Sequence, residues 1–485
     1  MMNYKTMGRI LAQIFALEAL FMLPPLVLSI CDGAGAAVLG FGCTAGIVLA
    51  AGAALWLLCR RASAKFYARD GLVCVGLVWI FISLTGCLPF VISGEIPHFV
   101  DAFFETVSGF TTTGASILTN VEAMSRGMLY WRSFTHWLGG MGVLVFLLAV
   151  APSGKGQGGF TLHLLRAESP GPIVGKLVPT MRQTATILYL IYILLTVLNI
   201  VFLLAGGMNW FDTLCIAFGT AGTGGFAVRA DGLASYSPYL QTVCTVFMLL
   251  FGVNFNCYYA MMMRDTRSLM RNEEIRVYLG LFFGASVAIA CNIQGMYRGF
   301  GAAFHHSAFQ VASVMTTTGF ATTDFNLWPG LSKTVLLLLM CVGACAGSTG
   351  GGLKCARLLL LAKSLRRSIR QLLHPQRVQT LRMDGQSVDE KIVRDTGIYL
   401  IAYAALMALS LLLISVDNFS VESNVSAVVS CLNNIGPGLD RIGPMSSYAA
   451  FSPFSKLVLI FDMLAGRLEI FPILILLSRR TWCGR

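Results

Sequence analysis

Four short segments of small and hydroxyl residues recur along this chain, and their residue types suit the binding of a dehydrated cation. They read FTTTGAS at 110–116, AGTGGF at 221–226, TTTGFA at 316–321 and NNIGPG at 433–438. An ion that loses its water needs oxygen atoms at fixed distances, and a ring of backbone carbonyls can supply them. Aiming carbonyls inward requires backbone angles that glycine adopts most freely. Gly114, Gly224, Gly319 and Gly436 hold that place, so one chain could supply all four quadrants of a filter.

Apolar stretches of unequal length surround each segment and must position it. A stretch too short to span a membrane precedes the segment, and a stretch of about 20 residues or more follows it. We therefore predict pore helices near 101–111, 211–221, 301–316 and 423–432. The flanking membrane helices are predicted at 70–93 and 128–152, at 184–206 and 237–263, at 276–293 and 332–373, and at 393–415 and 455–478. Irregular backbone at membrane depth must face protein or a water-filled cavity, so the four segments should face one another with pseudo-fourfold symmetry.

The composition is typical of a polytopic membrane protein. Of 485 residues, 56% are hydrophobic and 12% are charged, and the mean hydropathy is +0.72. Basic residues cluster between alternate apolar runs, which makes that side and both termini cytoplasmic by the positive-inside rule. The net charge of +12 therefore reflects topology and gives no reason to expect nucleic acid. Acidic residues on the opposite side, among them Asp101 and Asp440, predict an acidic vestibule that concentrates cations, with ordinary solvated loops as the alternative.

The N-terminal apolar pair, at about 9–30 and 36–58, has no glycine segment after it. Its Pro24-Pro25 sequence predicts a kink in the first helix. The 14 cysteines lie scattered through apolar runs without a CxxC pair, which is typical of small buried side chains. His305 and His306 precede a pore helix, but no third ligand at metal spacing accompanies them.

These motifs resemble the Trk/Ktr/HKT superfamily of potassium transporters, and most closely its TrkH branch. The resemblance rests on the four segments, on HWLGGMG at 136–142, on GSTGGGLK at 347–354 and on GRLEIF at 466–471, and it covers nearly the whole chain. It implies an all-α polytopic membrane protein with four pseudo-symmetric helix, pore-loop, helix repeats around a central pore. The expected divisions are an N-terminal transmembrane hairpin at 1–60 and pore repeats at 61–155, 156–265, 266–375 and 376–485.

The resemblance also implies which backbone carbonyls line a potassium path. They belong to Thr112, Thr113 and Gly114, to Gly222, Thr223 and Gly224, to Thr317, Thr318 and Gly319, and to Asn434, Ile435 and Gly436. Potassium would be the transported ion, and no organic cofactor is expected in this chain. Ala115 and Pro437 follow the glycine where the strict potassium-channel phrase TVGYG has an aromatic residue. We therefore expect potassium preference, acceptance of rubidium and less strict exclusion of sodium.

The third repeat is interrupted by GACAGSTGGG at 343–352, which is too rich in glycine to hold a helix. A Walker-type phosphate loop is disfavoured, because Leu353 separates the last glycine from Lys354 and no strand precedes it. A flexible hinge is an alternative. The resemblance implies instead a gate within the membrane, under the filter. Its residues would be Gly347, Ser348, Thr349, Gly350, Gly351 and Gly352.

Three polar residues sit within apolar helices. Arg467 lies in the last one, where a charge costs about 2.5–3.5 kcal/mol. Facing a watery pore and bonding carbonyls of the 346–352 loop would offset that cost, and an ion pair with Asp462 or Glu469 is the alternative. Glu105 is predicted to be buried behind the filter and hydrogen-bonded, with direct ion binding as the alternative. His136 is predicted to join close helix packing through the small residues that follow it.

The resemblance finally implies partners and a location. Such proteins assemble as homodimers in the cytoplasmic membrane, on a cytosolic ring of nucleotide-binding, TrkA-like regulatory subunits. The stretch from Lys363 to Arg394 is predicted to contact anionic lipid, and the segment Leu165–Pro172 resembles a family loop. We expect a gated potassium-uptake subunit, with a potassium symporter coupled to sodium or protons as the alternative. An enzyme is disfavoured because the sequence offers no paired nucleophile and base.

Overall fold

The computed structural model describes residues 2–60, 67–142, 181–263, 271–376 and 379–482. Within these ranges the chain is almost entirely helical, and one antiparallel hairpin joins β1 (Arg382–Met383) to β2 (Gln386–Ser387). Of the predicted helix at 128–152, only residues up to 142 are described, and the helix ends at Gly140. The segment Leu165–Pro172 lies outside the described residues.

The N-terminal pair of apolar stretches forms a hairpin. Its first half is α1 (Tyr4–Phe21) followed by α2 (Leu23–Cys31), and its second half is α3 (Gly35–Leu58). The break between α1 and α2 falls at Pro24-Pro25 as predicted, because the first turn of a helix accepts proline and the interior does not. Gly52 lies against the backbone of Ala12, which lets α1 and α3 pack closely.

The remaining helices repeat one order four times: a first membrane helix, a pore helix, a glycine segment and a second membrane helix. The first unit contains α4 (Ala68–Gly86), α5 (Leu88–Ser93), α6 (Phe99–Phe110) and α7 (Arg126–Gly140). The second contains α8 (Met181–Ala205), α9 (Trp210–Gly222), α10 (Pro238–Phe251) and α11 (Phe255–Met262). The third contains α12 (Glu273–Ile293), α13 (Phe300–Met315), α14 (Gly330–Met340) and α15 (Cys355–Leu373). The fourth contains α16 (Glu390–Ile414), α17 (Val421–Leu432), α18 (Pro453–Arg467) and α19 (Phe471–Leu477), and α20 (Arg479–Trp482) follows.

Local sequence explains where the second membrane helices begin. Ser237 and Ser452 each accept a hydrogen bond from a backbone N–H of the first turn, and Pro238 and Pro453 follow them. Serine satisfies an N–H that the helix cannot, and proline has the right φ for the first position. The two units therefore start α10 and α18 with the same Ser-Pro device.

Long apolar helices confirm the expected polytopic all-α membrane fold. Among the described residues, six helical stretches are long and apolar enough to span a membrane. They are Tyr4–Cys31, Gly35–Leu58, Ala68–Ser93, Gln183–Ala205, Glu273–Met296 and Glu390–Asp417. The bent pair α10 and α11 makes a seventh if the two count as one span.

The second membrane helices are interrupted more often than the sequence indicated. The predicted interruption in the third unit is present between Met340 and Cys355. The predicted continuous helices at 237–263 and 455–478 are wrong, however. The chain bends by 87° between α10 and α11, where the Asn254 side chain caps the new helix. Between α18 and α19, Glu469 and Ile470 have φ of 55° and 67°, outside helical geometry.

Candidate ion-binding ring and the loop beneath it

Each pore helix ends in the same backbone turn, although the turn is not made by glycine. One residue other than glycine in each segment has a positive φ, and we call these four the turn residues. They are Thr112 (56°), Thr223 (54°), Thr317 (58°) and Asn434 (56°). Threonine is branched at Cβ and strongly avoids this conformation, at a cost of about 1–3 kcal/mol. Asparagine enters this conformation more readily, so the strain falls on the three threonines. The same left-handed turn at four matching positions indicates that one backbone shape is present in all four units.

Two hydrogen bonds close each turn. The N–H of each turn residue donates to the carbonyl three residues earlier, at 3.1, 3.2, 3.1 and 3.3 Å in chain order. The next N–H donates to the carbonyl five residues earlier than itself, at 2.9, 2.8, 2.8 and 2.9 Å. This pair of bonds is the Schellman motif, which normally places glycine at the left-handed position. The carbonyl end of each pore helix is thereby held against the start of its glycine segment.

A glycine lies two positions after each turn residue, and we call these four the ring glycines. They are Gly114, Gly225, Gly319 and Gly436, with φ of 76°, 78°, 86° and 100°. A Cβ added to any of them would lie less than 3.0 Å from a carbonyl oxygen of the next segment. In order, those oxygens belong to Gly224, Thr318, Ile435 and Thr113. The contacts run from the first segment through the fourth and back to the first, so the four segments form a closed ring within one chain.

The register of the second segment corrects one prediction. The sequence assigned Gly222, Thr223 and Gly224 as the counterpart of Thr112, Thr113 and Gly114. In the structure Thr223 is the turn residue, so the counterparts are Thr223, Gly224 and Gly225. Two adjacent glycines made both alignments possible from sequence, and only the left-handed turn at Thr223 distinguishes them.

A cavity of about 240 Å³ opens on one side of the ring, which we call the outer side. All four ring glycines line it, together with the arginines Arg132 and Arg229. None of the described residues in its wall is Asp or Glu. The acidic residues expected there have other partners: Asp101 accepts from Lys456 at 2.6 Å, and Asp440 accepts from Ser423 at 2.7 Å. The expectation of an acidic vestibule is therefore wrong for the cavity next to the ring.

Side chains behind the ring hold the segments in place. Glu105 is buried, as predicted, and accepts hydrogen bonds from Ser116 and from the N–H of Ile117, both at 2.9 Å. Its charge is paired with Arg132 at 2.7 Å. Glu105 thus ties the first pore helix to the chain that follows the first glycine segment. Asn434 donates to the hydroxyl of Thr113 at 3.0 Å, which joins the fourth segment to the first.

The loop at 341–354 lies against the opposite, inner side of the ring. The N–H of Gly351 donates to the hydroxyl of the turn residue Thr317 at 2.6 Å. A Cβ on Gly350 would lie 2.9 Å from the carbonyl of Thr316, and one on Gly351 would lie 2.5 Å from that of Asn433. Glycine at these two positions therefore lets the loop backbone touch the third and fourth segments directly.

Arg467 joins this loop to the first repeat. Its guanidinium donates to the Thr112 hydroxyl at 3.2 Å, to the Thr349 carbonyl at 2.9 Å, and to the carbonyls of Gly139 and Gly140 at the end of α7. The alternative partners are engaged elsewhere: Asp462 accepts from Ser410 at 2.6 Å, and Glu469 pairs with Arg357. Arg467, the last residue of α18, thus contacts a turn residue, the loop and the C-terminal end of α7.

Buried charges on the inner side hold the loop, and the sequence interpretation missed most of them. Glu274 is buried and accepts from the N–H of Ala346 at 2.6 Å and of Ala356 at 3.0 Å. It therefore spans the loop from its first half to the start of α15. Lys354 has a φ of 72° and donates to the Gly350 carbonyl. Arg357 pairs with Glu469 and lies over the ring of Tyr399, 4.1 Å from its centroid.

These features define a class of protein: a polytopic membrane protein in which four glycine segments close into a ring and an irregular loop lies against the ring's inner side. The sequence comparisons are consistent with this class. Residues 42–289 and 298–481 match the TrkH family, described as cation transport proteins. The chain belongs to the TrkH family, which makes it a transport protein and not an enzyme.

Individual relatives match over almost the full chain. The chain is 35% identical to the Trk system potassium uptake protein TrkH of Escherichia coli K12, with 99% of this chain and 100% of the relative covered. It is 32% identical to TrkG of the same organism, with 96% of each covered. The crystal structure of the potassium transporter TrkH from Vibrio parahaemolyticus matches with a TM-score of 0.89 at 32% identity, covering 99% of this chain and 100% of that one.

Proposed function

We propose that this chain takes up potassium ions through the ring of backbone carbonyls on its central axis. The observation that carries the proposal is the closed order of contacts, in which each ring glycine lies against a carbonyl of the next segment. Carbonyl oxygens replace the water that a dehydrated ion loses. The relatives named above are potassium uptake proteins, which supports potassium as the substrate.

The proposed filter residues follow from the repeated turn. They are Thr112, Thr113 and Gly114; Thr223, Gly224 and Gly225; Thr317, Thr318 and Gly319; and Asn434, Ile435 and Gly436. Gly222 precedes the turn residue Thr223 and lies outside the proposed filter. The four copies differ in side chain, with Ile435 where the first and third have threonine. Unequal copies give fewer equivalent sites, so we expect potassium preference with incomplete exclusion of sodium.

The gate is proposed to be Gly347–Gly352 together with Arg467. The loop touches two segments of the ring, and Arg467 connects it to a third. In this arrangement the guanidinium is close to the axis on the inner side, where its positive charge opposes a cation that leaves the ring. Opening requires the loop and Arg467 to leave the inner side of the ring, which breaks the bonds of Arg467 to Thr349 and to Thr112.

We further propose the assembly and location that the family resemblance implies. The protein is a homodimer in the cytoplasmic membrane, with both termini cytoplasmic and a cytosolic nucleotide-binding ring of TrkA type beneath it. The divisions at 1–60, 61–155, 156–265, 266–375 and 376–485 are proposed as a hairpin and four repeats. The exposed basic residues Arg366 and Arg370 on α15 suit contact with anionic lipid.

A reversal-potential measurement on the purified protein in liposomes tests the proposal. With potassium at different concentrations on the two sides and sodium balancing the total cation concentration, we expect a reversal potential close to the potassium equilibrium value. Sodium concentration and pH are then varied separately at constant potassium. A potential that follows the proton gradient or a coupled sodium gradient supports symport instead, and a potential that does not distinguish potassium from sodium contradicts the proposal.

A further inference from the structure

His136 lies against Gly222 and Gly224, the two glycines that flank the turn residue of the second segment. In the first segment the hydroxyls of Thr111 and Thr113 are 2.8 Å apart, and in the third those of Thr316 and Thr318 are 2.7 Å apart. Each pair links the residue before the turn to the residue after it, behind the ring. The matching residues of the second segment are Gly222 and Gly224, which have no side chain to form such a link.

The imidazole of His136 fills this space from α7. A Cβ on Gly224 would overlap the imidazole ring, and a Cβ on Gly222 would overlap the carbonyl of His136. His136 is fully buried. The second segment needs glycine at 222 and 224, because His136 of the first repeat occupies the volume that side chains there would fill.

Both ring nitrogens of His136 bond to backbone groups next to the proposed filter. Nδ1 lies 2.8 Å from the carbonyl of Gly109, and the N–H of Phe226 lies 3.2 Å from Nε2. A carbonyl can only accept and a backbone N–H can only donate. The bonds therefore require a neutral imidazole with its proton on Nδ1.

The two partners belong to different repeats: Gly109 lies in the last turn of the first pore helix, and Phe226 lies in the second glycine segment. The Gly109 carbonyl also accepts the N–H of the turn residue Thr112, at 3.1 Å, and Phe226 directly follows the ring glycine Gly225. The Phe226 ring packs against the imidazole with centroids 4.2 Å apart, and the Arg132 guanidinium lies over the same Phe226 ring, 4.1 Å from its centroid. His136 thus fixes the distance between the first turn and the second ring glycine.

We propose that His136 is a specificity-determining positioning residue, which sets the spacing of the first and second filter segments through its two backbone hydrogen bonds. The inference rests on the proposed potassium filter and adds that the second segment depends on a histidine from another repeat. Loss of these bonds leaves the ring closed but lets the carbonyls of the second segment move. Discrimination between potassium and sodium then falls, while transport continues.

Three substitutions separate the two bonds. H136Q places an amide carbonyl oxygen near the former position of Nε2, so the new side chain can accept from Phe226. H136N places an amide N–H near the former position of Nδ1, so it can donate to Gly109, and H136L keeps bulk without either bond. We expect the potassium-to-sodium permeability ratio in liposomes to fall on the order of tenfold for H136L, the equivalent of about 1.4 kcal/mol. H136Q should retain most of the ratio, because it keeps the bond to the N–H of Phe226, directly after the ring glycine Gly225. H136N should have a ratio between those of H136L and H136Q.

The matched control is His305, which lies on a pore helix. Its Nε2 is 2.7 Å from Oε1 of Gln241, which is not part of a glycine segment. H305Q and H305L should leave the ratio unchanged. In Gly224→Ala the new Cβ overlaps the imidazole and displaces it, while residue 136 is still histidine. This variant should lower the ratio even if H136L is not recovered as a folded protein.

Wild-type protein in the same vesicles separates two failures. A wild type that does not prefer potassium defeats the proposed filter itself. If the wild type prefers potassium and H136L, H136N and Gly224→Ala prefer it to the same extent, the role of His136 is overturned. The proposed filter itself then stands. A uniform loss of activity with unchanged permeability ratio assigns His136 to packing, and also overturns the proposal.

Discussion

The ring and the layer on its inner side are built in opposite ways. The ring repeats one backbone shape four times, with turn residues whose φ values lie between 54° and 58°. The inner layer is not repeated in this way: the second membrane helices of three units are interrupted, but the interruption is a sharp bend at Gly252–Asn254 in the second, a long loop in the third and a turn beside Arg467 in the fourth. Coordination of an ion on an axis needs equivalent oxygens from all sides. Interruption of the path needs only one obstacle, so the inner layer can be asymmetric.

This contrast predicts which property each region controls. Changes in the ring should alter the choice of ion, and changes in the inner layer should alter the amount of ion that passes. Variants of both kinds are therefore measured in the same liposomes for permeability ratio and for flux.

The largest effect is expected from a ring glycine. In Gly319→Ser the new Cβ meets the carbonyl of Ile435 at a φ of 86°, where serine is strained. Strain of about 1–3 kcal/mol corresponds to a fall in the potassium-to-sodium ratio of roughly five- to 150-fold. Gly284→Ser on α12 is the control, because a Cβ there has nothing within 4 Å. A Gly319→Ser protein of unchanged selectivity would remove that glycine from the filter.

The next effect is expected from the arginine of the inner layer. Arg467→Ala removes the bonds to Thr112, Thr349, Gly139 and Gly140, which hold the loop against the ring. Hydrogen bonds to a charged group contribute about 1.5–3 kcal/mol, so basal flux should rise about tenfold with little change in selectivity. Arg441→Ala, in an outer loop over the ring of Phe419, serves as the control. Reduced flux through a well-folded Arg467→Ala protein would favour a scaffolding role.

A smaller increase in flux is expected from the carboxylate that spans the loop. Glu274→Ala leaves the N–H groups of Ala346 and Ala356 without their acceptor, which loosens the loop from α12. Flux should rise about threefold, within the range of about 0.5–2 kcal/mol typical of indirect coupling. Glu273→Ala is the control, because that neighbour pairs with Lys363 on α15 and touches no loop residue of the gate. Equal flux in both variants would show that the Glu274 bonds do not restrain the gate.

The smallest effect concerns the outer loops, where neither flux nor selectivity should change. Hydroxyl donors on Ser420 and Ser423 lower the pKa of Asp440 below its usual value. A lowered pKa adds stability above the unfolded pKa, about 3.9, and that stability is lost as pH falls through the folded value. Asp440→Asn should therefore unfold at a slightly lower temperature than wild type at pH 7, and the difference should shrink as the pH falls below about 3.9. A difference that persists in acid would contradict this assignment.

The sequence predicted the fold and the ring because both depend on local rules. Hydrophobic length located the helices, and glycine located the segments, since few other residues tolerate their backbone angles. The second register was misassigned because Gly224 and Gly225 are adjacent, and the bend after Phe251 was missed because only Gly252 and Asn254 signal it.

The role proposed for His136 could not be derived from the sequence, because its two partners are 27 and 90 residues away in the chain. Glu274 was missed for the same reason, since its partners Ala346 and Ala356 are 72 and 82 residues away. One signal was available in the sequence: the second segment alone has glycine at both positions flanking its turn residue. A missing pair of side chains indicates that something else fills the space.

Anomalous diffraction from the protein with rubidium in place of potassium tests the central claim most directly. The account predicts rubidium density on the axis of each chain, at the level of the carbonyls of Thr112, Thr223, Thr317 and Asn434 and the two residues after each. Rubidium found between two chains, or a chain whose four segments surround no ion at saturating rubidium, would contradict it.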